Sequence, residues 1–205
     1  MKKEIIMTVA SEAHARAYGR KAVTLVLENE EIYIMNMVLP AAEKYNLWNM
    51  IKDELIMKFG NIDSILFDFA LCVKTGKTVE VMVYCINFDI KKIVSELKRK
   101  GGMLKGVYPL QFYILKEYGK LVRESSYFLA FLFRKKIYMV AMVDKILVMN
   151  KIMPESEGLN EQDFGYLADR IKVIYLLGIS KEAVEVFLPP DMGIKVLNQY
   201  SDKTY

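Results

Sequence analysis

The side chains able to carry chemistry are few in this chain, and badly spaced for it. There is one histidine, His14, beside Ala13, Ala15 and Arg16. Metal centres and histidine-activated nucleophiles need further ligands or a partner, so His14 reads as a partly exposed helix residue. Ser95-Glu96-Leu97-Lys98 fits Ser-x-x-Lys and Lys74-Thr75-Gly76 fits Lys-Thr-Gly, a motif pair of penicillin-recognising enzymes. The two occur in reversed chain order, and a helical wheel sets Ser95 opposite Ile93 and Leu97, in solvent, so the match reads as accidental. Asp63 and Asp68 lie in or beside a strand-like run with no spaced acidic partner to share a metal or divide acid and base roles. The chain has no Gly-x-x-x-x-Gly-Lys-Ser/Thr loop and no Gly-x-Gly-x-x-Gly after a strand. Cys72 and Cys85 fall inside strand-like runs without Cys-x-x-Cys spacing. Two reduced, buried thiols of a cytoplasmic protein are expected, a disulfide between neighbouring strands being the alternative. No catalytic, metal-binding or cofactor-binding residue emerges, and the chain is expected not to be an enzyme.

Charge adds little. The net charge is +4, with clusters at Lys91-Lys92, Lys98-Arg99-Lys100 and Arg134-Lys135-Lys136. The second cluster closes a helix ahead of Gly101-Gly102, where cations offset the negative end of the helix dipole. The third fits a hairpin turn. Neither is interleaved with aromatic residues as a base-stacking platform would be, so nucleic acid is not an expected partner; weak attraction to an acidic membrane surface or partner is the charge-based alternative. With 53% apolar residues the chain is too hydrophobic for disorder, and its apolar runs are broken too often for a spanning helix. Met1 to Met7 begins like a signal peptide, but Thr8, Ser11, Glu12 and His14 interrupt the apolar segment. Secretion is not expected.

The elements follow from period. Val23 to Leu27 and Ile32 to Val38 are apolar at nearly every position and are separated by Glu28-Asn29-Glu30-Glu31, which reads as a first hairpin ending at Leu39-Pro40. A helix follows with Leu47, Trp48, Ile51, Leu55 and Phe59 on one face. Met50 and Met57, seven apart, form a separate stripe on its flank, either irregular core filler or an adaptable partner-binding stripe. Ser64 to Val73 returns through the turn 74–77 to the strand Val79 to Ile86. Asp89 is placed to cap a helix carrying Ile90, Ile93, Val94 and Leu97. A short strand near Met103 to Tyr108 then leads through Pro109 to a helix, Leu110 to Tyr118. Three runs, Tyr127 to Phe133, Ile137 to Val143 and Ile146 to Ile152, read as an antiparallel meander. A helix from Glu161 to Leu176, a last strand Glu185 to Leu188 and a loop to Tyr205 complete the reading. The implied organisation is an N-terminal segment 1–20, a hairpin-helix-hairpin-helix subdomain 21–120, and a meander-plus-helix subdomain 121–205, an α/β fold of mixed sheets.

In this order the elements resemble the PilM family of type IV pilus assembly proteins and the cytoplasmic part of the type II secretion protein GspL, both actin-like (ribonuclease H-like) folds. The resemblance is carried by Lys21 to Leu27, by Ile32 to Met37 with Leu39-Pro40, and by Phe67-Asp68-Phe69. It continues through Val79 to Cys85, Asp89 to Arg99 and Val107-Tyr108-Pro109-Leu110-Gln111-Phe112. It extends from Lys21 to Leu177.

Two departures shape what it implies. Family members open with a further strand and an Asp-Ile-Gly phosphate loop, where only residues 1–20 precede the Leu-Pro run here, so a reduced form lacking the first phosphate loop is expected. The second phosphate loop should fall in the meander, where Phe131-Leu132-Phe133-Arg134-Lys135-Lys136 has no glycine to form a close backbone cradle. Tyr175-Leu176-Leu177-Gly178-Ile179 keeps one glycine where the family's adenosine-contacting turn has several. The resemblance thus implies a non-catalytic scaffold, without cofactor, at the cytoplasmic face of the inner membrane. Its expected partners are an inner-membrane assembly protein and, as a second candidate, the assembly ATPase, with Met50 and Met57 as partner-binding residues. The alternative is a diverged actin-like ATP-binding protein.

Overall fold

Five consecutive buried residues, Val23 to Leu27, need a strand covered on both faces, the signature of a parallel sheet. A computed structural model, which describes residues 5–9, 22–28 and 31–197, provides it. β2 (Ala22–Leu27) lies between β1 (Ile5–Val9) and β6 (Met103–Pro109) in a three-stranded parallel sheet. The first hairpin expected from sequence is therefore corrected. β3 (Tyr33–Pro40) does not return along β2 but joins a second sheet, ordered β3-β5-β4, pairing antiparallel with β5 (Thr78–Asn87). The physical reason is in the side chains: β2 has no polar face, whereas β3 buries Met35 and Leu39 and exposes Tyr33, Asn36 and Val38, as a strand with one open side does.

α1 (Lys44–Phe59) lays Leu47, Ile51 and Leu55 against Met35, Leu39, Val79, Val81, Val83 and Cys85. Trp48 and Phe59, expected on the same face, sit at its margins. Trp48 stacks on Phe67 of β4 (Ile65–Lys74) at 4.8 Å, and Phe59 meets Tyr33 edge-on at 5.9 Å. Gly60 stops the helix at φ 74°, its N–H donating to the Ile56 carbonyl. β4 and β5 form the expected hairpin. α2 (Lys91–Arg99) packs Ile93 and Leu97 over Val23, Leu25, Leu104 and Val107. Asp89 caps it from one residue outside, accepting from the Lys91 N–H at 2.9 Å. Pro109 is the N-cap residue of α3 (Leu110–Tyr118).

The chain forms two compact units, Met1–Gly119 and Lys120–Tyr205. In the second, the meander is present as β7 (Tyr127–Phe133), β8 (Lys136–Val143) and β9 (Ile146–Pro154). Its two turns place Arg134, Lys135, Asp144 and Lys145 at φ between 47° and 66°, the signature of type I′ hairpins. The helix expected over 161–176 is corrected: two single 3-10 turns, Glu161–Asp163 and Gly165–Leu167, lead to β10 (Val173–Leu177). Gly165 at φ 41° breaks any continuous helix, and Val173-Ile174-Tyr175-Leu176-Leu177 is buried throughout, between parallel neighbours β7 and β11 (Gly193–Leu197). The strand expected at 185–188 is likewise corrected. That stretch begins on the last residue of the short α4 (Glu182–Glu185) and continues as a turn, and the last strand is β11, inside the expected terminal loop. The sheet order is β11-β10-β7-β8-β9. One face packs Phe128, Met139 and Ile174 against Phe164, Leu167 and Ile171. The first 3-10 turn is fixed by a capping box between Asn160 and Asp163, whose buried carboxylate also accepts from Lys151.

Candidate partner-binding surface

Among the described residues β5 is the central strand of its sheet and β3 and β4 are its two edges, and the two edges differ. β4 shifts register between Leu71 and Val73 and turns Asp68 to solvent, the bulge and charge that blunt an edge. β3 keeps an unbroken register with β5 from Tyr33↔Cys85 to Pro40↔Thr78, and Tyr33 on its α1 side and Val38 on its other side are 52% and 67% exposed.

Beside β3, α1 leaves an open groove of about 370 Å³ lined by Met35, Asn36, Met37, Glu54, Met57 and Lys58. The structure thus separates the two methionines singled out by spacing. Met57 is 73% exposed and lines the groove, whereas Met50 packs against the α1-sheet core. Lys58 was not singled out from sequence. Its ammonium donates to the Met35 sulfur at 3.3 Å and lies 5.5 Å and 5.8 Å from the ring centres of Tyr33 and Phe59. Among the described residues it has no carboxylate partner, Glu54 one helical turn away included. A cation held by two aromatic faces and a thioether is fixed in place while its charge stays uncompensated.

The remaining sequence candidates disperse. Ser95 is exposed and donates to the Lys91 carbonyl; Asp63 pairs with Lys91 at 3.2 Å; Asp68 accepts from the Phe69 N–H. Each is locally satisfied and none faces a second reactive group. Among the described residues, no group of three metal-ligating side chains forms, and no helix is long and apolar enough to cross a membrane. His14 lies outside the described residues. Both cysteines are free; burial pushes the Cys85 thiol up to about 11, with Lys58 pulling the other way, and burial also raises Cys72.

The second unit has a concavity of about 400 Å³ lined in part by Leu132, Ile137, Glu155, Gly158, Gly178 and Ser180. It sits beyond the carboxyl ends of parallel β7 and β10, where open α/β sheets bind ligands. The residues present do not fit the nucleotide that an actin-like fold implies. The β7–β8 turn presents Arg134 and Lys135 in place of glycine, with the Arg134 guanidinium over the Phe133 ring at 5.5 Å. The acidic side chain in the lining, Glu155, repels phosphate. Elsewhere in this unit Glu124 accepts from Lys195 and Tyr175, which hold its carboxyl down at about 2. This network ties the lead into β7 to β10 and β11.

No family model and no curated protein matches the chain. Among solved structures, a chain of the PilM-PilN type IV pilus biogenesis complex superposes with a TM-score of 0.57 at 12% identity, over 87% of this chain and 71% of its own. The cytoplasmic domain of EpsL, an inner membrane component of the type II secretion system of Vibrio cholerae, gives 0.51 at 13% identity, over 88% and 70%. The chain has the actin-like fold shared with these pilus and secretion assembly components, as the order of its elements implies.

Proposed function

We propose that the chain is a non-catalytic scaffold of a type IV pilus or type II secretion assembly platform, acting at the cytoplasmic face of the inner membrane. There it holds the cytoplasmic segment of an inner-membrane partner, and the assembly ATPase is its second candidate partner. The observation that carries this reading is the pairing of an actin-like fold with a β7–β8 turn whose Arg134 and Lys135 replace the phosphate cradle. The likenesses to a chain of a PilM-PilN complex and to the cytoplasmic domain of an inner-membrane secretion component support the platform and its membrane partner. The open β3 edge supports a holding role, since exposed edges recruit extended segments.

Two measurements test it. Affinity purification of the tagged chain from membranes of its native cells should enrich a single-span inner-membrane protein. Magnesium-ATP at about 1 mM should leave the melting temperature unchanged, since a ligand far below its Kd contributes no stabilisation. A clear upward shift would instead favour the diverged ATP-binding reading, and absence of the membrane protein from the purified material would refute the platform role.

A further inference from the structure

Natural sheet edges are blunted by bulges, charges or cover unless pairing is their use. β4 is blunted; β3 has eight residues of regular register, and its one proline, Pro40, stands at the end of the strand. Alternate residues along β3 address two different surfaces. Tyr33, Met35 and Met37 face the α1 side, where Glu54, Met57 and Lys58 border the groove, while Val38 faces the opposite side. A strand added here would therefore meet the Met35, Met37 and Met57 side chains, the fixed Lys58 ammonium and the exposed Glu54 carboxylate on the α1 side, and Val38 on the other.

We propose that β3 accepts an extended peptide segment with an acidic side chain as a fourth strand of the β3-β5-β4 sheet. The segment's carboxylate pairs with Lys58, and its apolar side chains cover Met57 and Tyr33. The occupant follows from charge: Lys58 is held beside β3 by Met35, Tyr33 and Phe59 and has no ion-pair partner among the described residues, whereas the exposed Glu54 of the same lining is held by no such contact and is free to turn to solvent. An incoming carboxylate supplies one without displacing an existing pair. A second copy pairing through its own β3 is disfavoured, because Tyr33-Ile34-Met35-Asn36-Met37-Val38-Leu39-Pro40 contains no acidic residue to offer. The inference rests on the holding role proposed above and gives the held segment a chemistry: extended, alternately apolar, with one acid in register with Lys58.

The probe is a fluorescein-labelled synthetic peptide with the eight-residue length of β3, alternating valine and threonine around one central glutamate. Its sibling carries lysine there. Fluorescence anisotropy with the full chain should show the glutamate peptide binding at least about tenfold more tightly than the lysine peptide. Lys58→Glu should reverse that preference and Lys58→Gln abolish it; Lys58 is exposed, so both variants are expected to fold. Amide exchange should show new protection over 33–40 and none over 65–74. Equal binding of the two peptides, protection at β4 instead, no binding of either peptide, or a peptide-free dimer with β3 already protected would each overturn the proposal. If the peptides fail while an inner-membrane protein still co-purifies, the β3 surface alone is lost. Peptide binding without such co-purification removes the platform role alone.

Discussion

Met50→Ala and Met57→Ala remove the same atoms from the same helix, so helix propensity and lost side-chain length cancel between them. What remains is burial. Met50 is half-buried against the core formed by Leu47, Ile51 and the β3-β5-β4 sheet, whereas Met57 is 73% exposed. Truncating a fully buried methionine costs about 2–5 kcal/mol, and partial burial scales Met50→Ala to about 1–2 kcal/mol. Met57→Ala belongs with surface substitutions, within about 0.5 kcal/mol. The chain carries its own reporter: its one tryptophan, Trp48, lies in α1 and stacks on Phe67 with ring planes 26° apart. Its fluorescence follows the undocking of α1 from the sheet. With a urea slope of about 1–2 kcal/mol per molar, Met50→Ala should lower the midpoint of the Trp48 transition by about 1 M and Met57→Ala should leave it in place. Binding of the glutamate peptide should show the reverse order, weakened by Met57→Ala and unchanged by Met50→Ala under native conditions. Equal midpoint shifts, or a larger one for Met57→Ala, would refute the placement of the two side chains on which the groove depends.

Two further outcomes follow from the second unit. Replacing Arg134-Lys135 with Asn-Gly puts residues suited to positive φ into the β7–β8 turn, where both now stand at 47° and 62°; calorimetry should show a gain of about 1 kcal/mol, and a loss would mean that the contact of Arg134 with Phe133 outweighs backbone strain. Glu124, held at about 2 instead of 4.5, contributes stability that is present above its unfolded pKa and lost as pH falls from about 4.5 towards 2. Its side chain is 32% exposed, so the contribution is discounted for solvent to about 1 kcal/mol or less. Glu124→Gln should lower stability at pH 6 and leave it little changed near pH 2, and an equal loss at both would assign the effect to packing.

Local signals specify local structure well in this chain. Arg134-Lys135 and Asp144-Lys145 mark the meander turns because two-residue hairpin loops must be polar and tight, and Gly60 and Pro109 stand where a helix ends and another begins. The 161–176 stretch shows the limit. Phe164, Leu167, Ile171 and Ile174 recur at helical spacing and do enter one core, yet they reach it through two 3-10 turns and a strand. Spacing there identifies which side chains are buried but not the backbone that buries them. The contrary signals were Gly165 and a five-residue apolar run, Val173 to Leu177, of strand length and strand composition.

The misread first hairpin and the missed Lys58 have a single cause. Sequence-adjacent strands usually pair, and pairing β2 with β3 would have closed the β3 edge. What separates them is a difference in burial: β2 is covered on two faces and takes two parallel neighbours, so β3 must find its partner elsewhere and, among the described residues, takes only β5. One side of β3 is left open as a direct result. The groove beside α1, the exposure of Met57 and the uncompensated ammonium of Lys58 all exist because a non-local pairing won over a local one. Periodicity could nominate Met57, but it could not find the groove that Met57 lines, since an edge is defined by the strand that is not there.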